Sequence, residues 1–371
     1  MVKVLIVGLS EEIGGIENLF YNLFKEGAPN CIVDFLAFGE KCAYESEFLA
    51  MGYNVFHIPT RKQAFLKFNS IVKDFLEKHN DYDFIWFNTA STSMYQFQYF
   101  GKKYTCSKII THSHGTSIDR NNGTVFYVAN KILEKINRKK VTNNTDLFLC
   151  CSYAAGEALY GKKYKDKLIL IKNGINVSKY KYSKEVRRVF RNDMNIDSDT
   201  VVLAMIGRLS VQKNPVKGVE VFCEYLKENP KSILLVVGDG DLRDEVVAKV
   251  HELGISENVK MLGFRNDIGA IMSGSDILLM PSLFEGLPLT AIEAECSGLY
   301  CYLADTITKE TKLINECRFI PLTASNNIWA EEIDKSFALI KDRDCYYKYV
   351  IDEGYSIEQT REAVMRLLQG E

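Results

Sequence analysis

The sequence predicts an α/β protein with two Rossmann-like domains, each built on a doubly wound parallel sheet. Short, continuously apolar segments alternate with amphipathic stretches along the chain, which is typical of parallel strands that are covered by helices on both faces. This alternation starts afresh after the turn Asn173-Gly174. A chain of 371 residues is also long enough for two domains of ordinary size.

The N-terminal domain is predicted to cover residues 1–175. Helical patterns at Ile16–Lys25 and Asn69–Lys78 separate its apolar segments. The strand candidates are Val2–Val7, Cys31–Ala37, Val55–Ile58, Phe84–Phe87, Lys108–His112 and Leu147–Cys151, followed by Leu168–Ile171. In a parallel sheet of this kind, ligands are expected at the carboxyl ends of the strands.

The C-terminal domain is predicted to cover residues 176–354. Its strand candidates are Val201–Ile206, Ile233–Val237, Val259–Leu262, Ile277–Met280 and Leu299–Leu303. Its helical patterns are Val216–Glu228, Leu242–Leu253, Asp267–Ser273 and Pro288–Ser297. The remaining residues, 355–371, contain a last helix, which can pack back on either domain; the N-terminal domain is favoured.

Composition excludes several classes of protein. With 47% hydrophobic and 25% charged residues and only 7 prolines, the chain is neither disordered nor fibrous. The first apolar run is too short for an export signal, and no stretch approaches the roughly 20 apolar residues of a membrane span. We therefore expect a cytoplasmic protein. The ten cysteines are scattered without a Cys-x-x-Cys pair, which favours reduced thiols over disulfides or zinc.

The charge is distributed unevenly. Residues 1–175 carry 22 basic against 17 acidic residues, although the whole chain has a net charge of −2. This excess is too small to indicate a nucleic acid partner. The segment Asn130–Lys140 has the pattern of a basic amphipathic helix. It is either a solvated surface or a contact for an anionic membrane or a lipid diphosphate, which would place the protein peripherally at the inner membrane face.

The strongest functional signal is a loop and helix with two glutamates. The loop Pro281–Gly286 follows a buried strand, and Pro288 suits the first position of a helix. Glu285 then lies in the loop and Glu293 within the helix, so both can face one crevice. The backbone amides at the start of this helix, from Leu289 onwards, would attract an anion.

A pair of cations follows another strand of the same domain. A strand ends at Gly207, which places Arg208 at its carboxyl tip, and Lys213 stands five residues further along. Two converging cations suit a diphosphate, because its negative charge grows as a bond to it breaks.

Glycines and histidines mark two strand ends in the N-terminal domain. Gly14 and Gly15 precede a helix that contains Glu17, and glycines permit a close approach between backbone and ligand. His112 and His114 stand where another strand runs into a Gly turn. A metal is disfavoured, because no third ligand is evident nearby.

These elements resemble those of the retaining family 4 glycosyltransferases, which have the GT-B fold of two Rossmann-like domains and an interdomain cleft. The Glu-x7-Glu signature of that family is matched by Glu285 and Glu293, and the other elements occur in the family's order over nearly the whole chain. The resemblance implies that Glu285 contacts the hydroxyls of the donor sugar and that Glu293 contacts the ribose. It assigns Arg208 and Lys213 to the diphosphate.

The resemblance also assigns the remaining residues. The Gly-Gly-x-Glu element borders the donor phosphate and the acceptor side, and a histidine lies beside the sugar's primary hydroxyl; His114 is the better match and His112 the alternate. The catalytic residues would be Arg208, Lys213, Glu285 and His114. The donor-binding residues would be Gly15, Arg208, Lys213, Gly238, Arg265, Asn266, Glu285, Gly286, Leu287, Pro288, Leu289 and Glu293. The acceptor side would comprise Gly14, Gly15, Glu17, His112 and His114.

The implied activity is retaining transfer of a hexose from a UDP-sugar to a hydroxyl of a glycan or lipid-linked oligosaccharide, in capsular or exopolysaccharide biosynthesis. No cofactor and no metal are expected, because the two cations replace a metal at the diphosphate. The sequence departs from the family where Asn214-Pro215 replaces the usual Lys-Gly. A non-catalytic sugar-nucleotide or glycan-binding subunit of a transferase pair, an epimerase and a phosphorylase remain alternatives, and the base, hexose, acceptor and linkage stay open.

Overall fold

A computed structural model describes residues 1–12, 14–115, 124–337 and 342–370, with the backbone alone at 124–132 and at 336. The chain divides into two compact units. Unit 1 comprises Met1–Gly174 and Ile357–Glu371, and unit 2 comprises Ile175–Ser356. Among the described residues, no helix combines the length and the apolar character that a membrane crossing requires.

Unit 1 contains a seven-stranded parallel sheet in the order β3-β2-β1-β4-β5-β6-β7. Its strands are β1 (Val2–Leu9), β2 (Cys31–Phe38), β3 (Asn54–Ile58), β4 (Phe84–Thr89), β5 (Lys108–Ser113), β6 (Leu147–Cys150) and β7 (Leu168–Leu170). Its first six helices are α1 (Gly15–Phe24), α2 (Glu45–Ala50), α3 (Phe68–Lys78), α4 (Gln96–Tyr104), α5 (Thr124–Asn143) and α6 (Tyr153–Tyr160).

Unit 2 contains a six-stranded parallel sheet in the order β10-β9-β8-β11-β12-β13. Its strands are β8 (Val201–Ile206), β9 (Ser232–Val237), β10 (Val259–Gly263), β11 (Ile277–Met280), β12 (Tyr300–Ala304) and β13 (Cys317–Ile320). Its helices are α7 (Val177–Tyr180), α8 (Lys184–Asp193), α9 (Pro215–Glu228), α10 (Arg243–Glu252), α11 (Ile268–Gly274), α12 (Leu289–Cys296), α13 (Asn326–Ser336) and α14 (Tyr347–Asp352).

The predicted architecture of two parallel sheets is confirmed, and its cause lies in the strand sequences. The residues from Val4 to Val7 of β1 are fully buried, with Val4 and Ile6 packed on one face of the sheet and Leu5 and Val7 on the other. A strand that is covered on both faces has no polar side, so its sequence reads as continuously apolar.

The last helix, α15 (Ile357–Gln369), belongs to unit 1. It buries Val364 and Leu368 in the same core cluster as β1 and α1. Arg361 donates from Nε to the carbonyl of Leu23 (2.9 Å) and from Nη2 to that of Asn22 (3.0 Å). These carbonyls lie in the last turn of α1, where they lack helical partners, so the guanidinium caps that helix.

Strand order also determines where each unit can bind a ligand. In unit 1 the direction of winding reverses between β1 and β4, and in unit 2 it reverses between β8 and β11. Loops leave such a pair of strands on opposite sides of the sheet and open a crevice at the carboxyl ends. The predicted site residues should therefore lie near the carboxyl ends of these two pairs of strands.

Unit 2 also buries an acidic side chain within α12. Glu295 is fully buried, and its Oε2 accepts hydrogen bonds from the amides of Leu313 (2.7 Å) and Ile314 (3.1 Å). Burial raises the pKa of this carboxyl to about 8, although hydrogen bonds from Cys317 and these amides act in the opposite direction. At neutral pH the folded protein therefore holds a proton here that the unfolded chain would release.

We expect this proton to make folding pH-dependent. Because the folded-state pKa lies above the ordinary value of 4.5, the stabilisation is complete below pH 4.5 and is lost as the pH rises to about 8. The loss should be on the order of 5 kcal/mol, because the two pKa values differ by about 3.5. Glu295→Gln keeps an acceptor for both amides without ionising, so its unfolding free energy should lack this decline. Denaturant unfolding of both proteins between pH 5 and pH 9 measures the difference, and parallel curves would show that Glu295 does not cause it.

Candidate functional site

A pocket opens at the winding reversal of unit 2, between the carboxyl ends of β8 and β11. Its lining includes Gly207, Arg208, Lys213, Pro281 and Ser282. Gly207 directly follows β8 with a φ of 146°, a backbone conformation that favours glycine. This turn places the exposed Arg208 at the tip of the strand.

Lys213 reaches the same pocket through a short 3-10 turn at Val211–Lys213. A side-chain carbon at Gly207 would lie 3.3 Å from Cε of Lys213 and 3.8 Å from its Nζ, so the lysine side chain passes directly over this glycine. The structure thus brings Lys213 beside Arg208. Lys217 lies elsewhere, because its Nζ donates to the carbonyl of Ala324 (3.0 Å) and to Oδ1 of Asn326 (3.1 Å).

The departure at Asn214-Pro215 has a structural consequence. Asn214 adopts the left-handed conformation (φ 51°) and precedes α9, whose first residue is Pro215. Its Nδ2 donates to the carbonyl of Pro281 (3.2 Å), which ties the loop after β8 to the loop after β11. The replacement therefore still delivers Lys213 to the strand end.

Glu285 is held beside the two cations. Nζ of Lys213 lies 2.7 Å from its Oε1, and the glutamate side chain is only 8% exposed. Gln212 donates from Nε2 to Oε2 of Glu285 (3.2 Å) and to the carbonyl of Phe284 (3.1 Å). Oε1 of Glu285 thus has an ion-pair partner and Oε2 a hydrogen-bond donor within unit 2. Gln212 was not predicted from the sequence, because its only signal is its position next to Lys213.

Glu293 lies on the second turn of α12 and is half-buried. Burial raises the pKa of its carboxyl to about 6, while a hydrogen bond from Tyr180 and the charges of Lys179 and Lys213 act in the opposite direction. Lys213 therefore influences both predicted glutamates. Tyr180 on α7 is a second partner that sequence reasoning missed, because it is distant in the chain and carries no motif.

The residues between the two glutamates form the entry to α12. Gly286 and the buried Leu287 lead into the helix, which begins at Leu289. Pro288 is the residue that precedes the first turn, one position earlier than predicted. The helix starts one residue later because Pro288 has a ψ of 105°, which lies outside the helical region of the backbone.

The other predicted donor residues do not line the pocket. Gly238 directly follows β9, and a side-chain carbon there would lie 2.0 Å from the carbonyl oxygen of Gly207, so backbone packing requires glycine at this position. Arg265 donates from Nε and Nη2 to both carboxylate oxygens of Asp267 (2.8 and 2.6 Å), and Asn266 is exposed. These two residues follow β10, which β9 separates from β8.

In unit 1 the predicted glycines lie at the winding reversal. Gly14 precedes α1 and Gly15 begins it, after the loop that follows β1. Glu17 is buried and accepts hydrogen bonds from the amide of Ser10 (3.0 Å), its hydroxyl (2.8 Å) and the amide of Gly14 (3.2 Å). The carboxylate therefore braces the loop around the start of the helix.

The two histidines of β5 have different surroundings. His112 is fully buried, its ring lies 4.0 Å from that of His114 between centroids, and both of its ring nitrogens are buried without a hydrogen-bond partner among the described atoms. Burial holds the pKa of His112 well below its ordinary value and lowers that of His114 to about 3. Both imidazoles are therefore neutral at physiological pH.

A hydrogen-bond chain sets the tautomer of His114. Asn88 on β4 donates from Nδ2 to the carbonyl of Val7 (3.1 Å), so its Oδ1 is the atom that faces Nε2 of His114 at 3.0 Å. An amide oxygen can only accept, so Nε2 carries the ring proton and Nδ1 is left as an acceptor. This Nδ1 is buried and has no hydrogen-bond partner among the described atoms.

Two further predictions concern a metal site and the basic helix of the N-terminal domain. Within the described part of the chain, no group of three or more His, Cys, Asp or Glu side chains is arranged to hold a metal ion. The basic segment Asn130–Lys140 does lie in a helix, α5. The side chains of residues 130–132 lie outside the described residues.

Comparisons with known proteins agree with this geometry. The family model described as "Glycosyl transferases group 1" matches residues 186–316. The putative glycosyltransferase EpsF of Bacillus subtilis (strain 168) is 23% identical over 364 residues, which cover 95% of this chain and 93% of that protein. The UDP-Gal:alpha-D-GlcNAc-diphosphoundecaprenol alpha-1,3-galactosyltransferase of Escherichia coli is 25% identical over 315 residues, which cover 82% of this chain and 79% of that protein.

Among solved structures, Anabaena Alr3699/HepE in complex with UDP and glucose superposes with a TM-score of 0.79 at 17% identity, over the full length of both chains. WaaG, a glycosyltransferase involved in lipopolysaccharide biosynthesis, gives a TM-score of 0.75 at 15% identity and covers 99% of this chain and 100% of its own. At this level of identity the likeness establishes the fold, which is GT-B, as the sequence predicts.

Proposed function

Because this chain carries a Glycosyl transferases group 1 domain within a GT-B fold, we propose that it is a retaining hexosyltransferase. Its donor is a UDP-sugar, and its acceptor is a hydroxyl of a glycan or lipid-linked oligosaccharide. The observation that carries this proposal is the ion pair between Lys213 and Glu285, 2.7 Å long, beside Arg208 at the winding reversal of unit 2. This pair supports the proposal because the two cations would bind a diphosphate and the neighbouring carboxylate would bind a sugar.

In the proposed mechanism, Arg208 and Lys213 bind the diphosphate of the donor. As the bond between the anomeric carbon and the phosphate oxygen breaks, negative charge develops on the leaving UDP, and the two cations stabilise it. The acceptor oxygen bonds to the anomeric carbon on the face that UDP leaves. Its proton passes to the departing phosphate oxygen, so that configuration is retained and charges balance without a metal.

The glutamates would orient the two sugars of the donor. Glu285 accepts hydrogen bonds from hydroxyls of the hexose, and Glu293 accepts them from the ribose. The contact with Glu285 also explains how Lys213 is kept ready, because an ion pair orders the lysine before the diphosphate arrives. Glu285 then exchanges the ion pair with Lys213 for hydrogen bonds with the sugar.

Unit 1 would supply the acceptor side, through Gly14, Gly15 and Glu17, and a neutral histidine. We assign the histidine role to His114, because its neutral ring leaves Nδ1 as a hydrogen-bond acceptor that has no partner among the described atoms. A sugar's primary hydroxyl is a suitable donor to such a nitrogen. His112 remains the alternate.

The acceptor class and the pathway rest on the relatives. One relative's name describes transfer to a sugar diphosphoundecaprenol, and another relative is an amylovoran biosynthesis glycosyltransferase of Erwinia amylovora, 25% identical over 182 residues. Both names support a glycan or lipid-linked acceptor in polysaccharide biosynthesis. We propose that the transfer takes place in the cytoplasm or at the inner face of the membrane.

Gly15 offers a test of close approach by a ligand. Beyond its chain neighbours and its own helix backbone, a side-chain carbon at this position would meet no atom of the described residues within 4 Å, so Gly15→Ala should change the free energy of unfolding by less than about 1 kcal/mol. If a ligand approaches the backbone here, the same methyl group should lower kcat/KM about tenfold or more, since small displacements at a reacting centre are costly. Steady-state kinetics and thermal unfolding of the variant measure both; unchanged kinetics would remove Gly15 from the site.

The proposed activity itself is tested by incubating the protein with a panel of UDP- and GDP-hexoses and candidate acceptors, with and without EDTA. We expect UDP release with one donor, no effect of EDTA, and a product whose anomeric configuration matches the donor by NMR. An inverted product or dependence on a divalent metal would refute the mechanism. Formation of a sugar 1-phosphate from inorganic phosphate would identify a phosphorylase, conversion of the donor sugar an epimerase, and binding without turnover a non-catalytic subunit.

A further inference from the structure

The loop after β3 carries two fully solvated apolar side chains. Phe65 is 71% exposed and Leu66 is 93% exposed, within a segment that leads into α3. Arg61, Lys62 and Lys67 flank them, and residues 59–67 contain no acidic side chain. Single exposed apolar residues are ordinary, but two adjacent ones inside a purely basic loop are not explained by folding.

This loop is connected to α5 through the segment 92–95. Arg61 donates to the carbonyl of Ser93, and the hydroxyl of the neighbouring Thr92 donates to the carbonyl of Glu134 on α5 (3.1 Å). Further along the helix, Nζ of Lys140 lies 4.1 Å from the ring centroid of Tyr95. The short segment 92–95 therefore links the loop to the helix on one side of unit 1.

The adjoining part of α5 has the same composition as the loop. Leu133 and Ile136 are 55% and 53% exposed, and exposed lysines alternate with them at positions 135 and 139. We name residues 61–67 together with 133–140 the loop–helix surface. It carries seven basic residues against one acidic residue, Glu134.

We propose that the loop–helix surface docks on an anionic lipid bilayer, with Phe65 and Leu66 inserted among the headgroups. The two exposed apolar side chains suit the boundary between the headgroups and the acyl chains of the bilayer. The surrounding lysines and arginine suit the negatively charged lipid phosphates. A second copy of the chain is a poor occupant, since two such surfaces would repel each other. The proposal does not depend on the proposed transferase activity.

The test is vesicle binding by the full chain without donor or acceptor. Sedimentation with vesicles of phosphatidylcholine that contain phosphatidylglycerol should recover the wild-type protein at low salt, whereas pure phosphatidylcholine should not. Phe65→Ser with Leu66→Ser should weaken binding about tenfold or more, because the inserted apolar area is lost. Lys62→Glu with Lys67→Glu should weaken it at least as much, since each cation near an anionic surface contributes about fivefold.

Matched controls lie elsewhere on unit 1. Leu49 on α2 is 53% exposed, so Leu49→Ser removes a comparable apolar side chain away from the loop–helix surface. Lys41→Glu with Arg366→Glu reverses two exposed charges, one ahead of α2 and one on α15. Both controls should bind vesicles as the wild type does, and thermal unfolding of all variants checks that they are folded.

Two results would overturn the proposal. One is equal binding of the wild type to neutral and anionic vesicles, or none to either. The other is wild-type binding by the variant with serine at positions 65 and 66. A third outcome also contradicts the proposal: the wild type does not bind vesicles and is a dimer in light scattering, whereas the variant with both serines is a monomer. The surface would then join two copies of the chain.

Discussion

Replacing Arg208 with alanine is expected to lower kcat by about 10²- to 10³-fold, while the fold stays intact. Arg208 is exposed at the tip of β8 and lines the pocket that also contains Lys213. Removing it should leave one cation to stabilise a leaving diphosphate whose charge increases in the transition state. Lys213 cannot fully compensate, because it also pairs with Glu285.

The measurement is UDP release under saturating donor, together with UDP affinity by calorimetry. Arg208→Lys should recover part of the rate, since it restores the charge but not the planar fork of donors. Arg188→Ala is the matched control, because Arg188 is an exposed arginine on α8 that pairs with Glu185. A nearly normal kcat for Arg208→Ala would exclude this residue from leaving-group stabilisation.

Replacing Asp276 with alanine is expected to lower the free energy of unfolding by about 3–5 kcal/mol. Asp276 is buried at the start of β11, where Oδ1 lies 2.7 Å from Arg187 and Oδ2 lies 2.7 Å from Arg191. A third guanidinium, that of Arg343, is also buried and donates to the carbonyls of Ser275 and Ser297. Without the carboxylate, adjacent buried cations would remain without a counter-ion.

Two of these arginines also cap the C-terminal end of α11, and this contact helps to keep the cluster buried. Arg187 and Arg191 both donate to the carbonyl of Gly274, the last residue of that helix. Burial lowers the pKa of Arg343 to about 10, although the charge of Asp276 opposes this shift. Removing the acid should therefore also weaken the packing of α8 against α11.

Asp199→Ala is the control for this prediction. Asp199 pairs with Lys231 at the surface, where water screens both charges, so its removal should cost less than about 1 kcal/mol. Urea unfolding of the three proteins measures the difference. Equal midpoints for the Asp276 and Asp199 variants would mean that the buried cluster contributes no net stability.

The strands of both sheets were predictable because they are buried on both faces. The bounds of β1–β6 and of β8–β12 agree with the predicted strands to within about two residues. β7 (Leu168–Leu170) matches the apolar run predicted before Asn173. β13 was missed, because its four residues include the exposed Arg318 and so lack a continuous apolar pattern. The helices α13 and α14 also went unpredicted.

The chemical character of the site could be anticipated from its motifs, but its pairing could not. Two local patterns carried this information: a glycine and an arginine directly after a strand, and a proline-bounded loop with one glutamate before a helix with another. That Lys213 contacts Glu285 depends on β8 and β11 being neighbours in the sheet, although 72 residues separate the two side chains in the chain. In the same way, only the tertiary structure shows that Gln212 contacts Glu285 and that Tyr180 contacts Glu293.

By itself, the sequence determined which segments form strands and helices, and which polar residues stand at strand ends, because hydrophobic periodicity and backbone preferences act over a few residues. Tertiary structure alone decided which of these residues meet, how far each is buried, and hence which carboxyls and imidazoles are neutral. Glu295 illustrates the difference: two positions from Glu293 in the chain, it is turned into the core, where desolvation raises its pKa to about 8. Desolvation depends on every neighbouring segment, so no local pattern reports it.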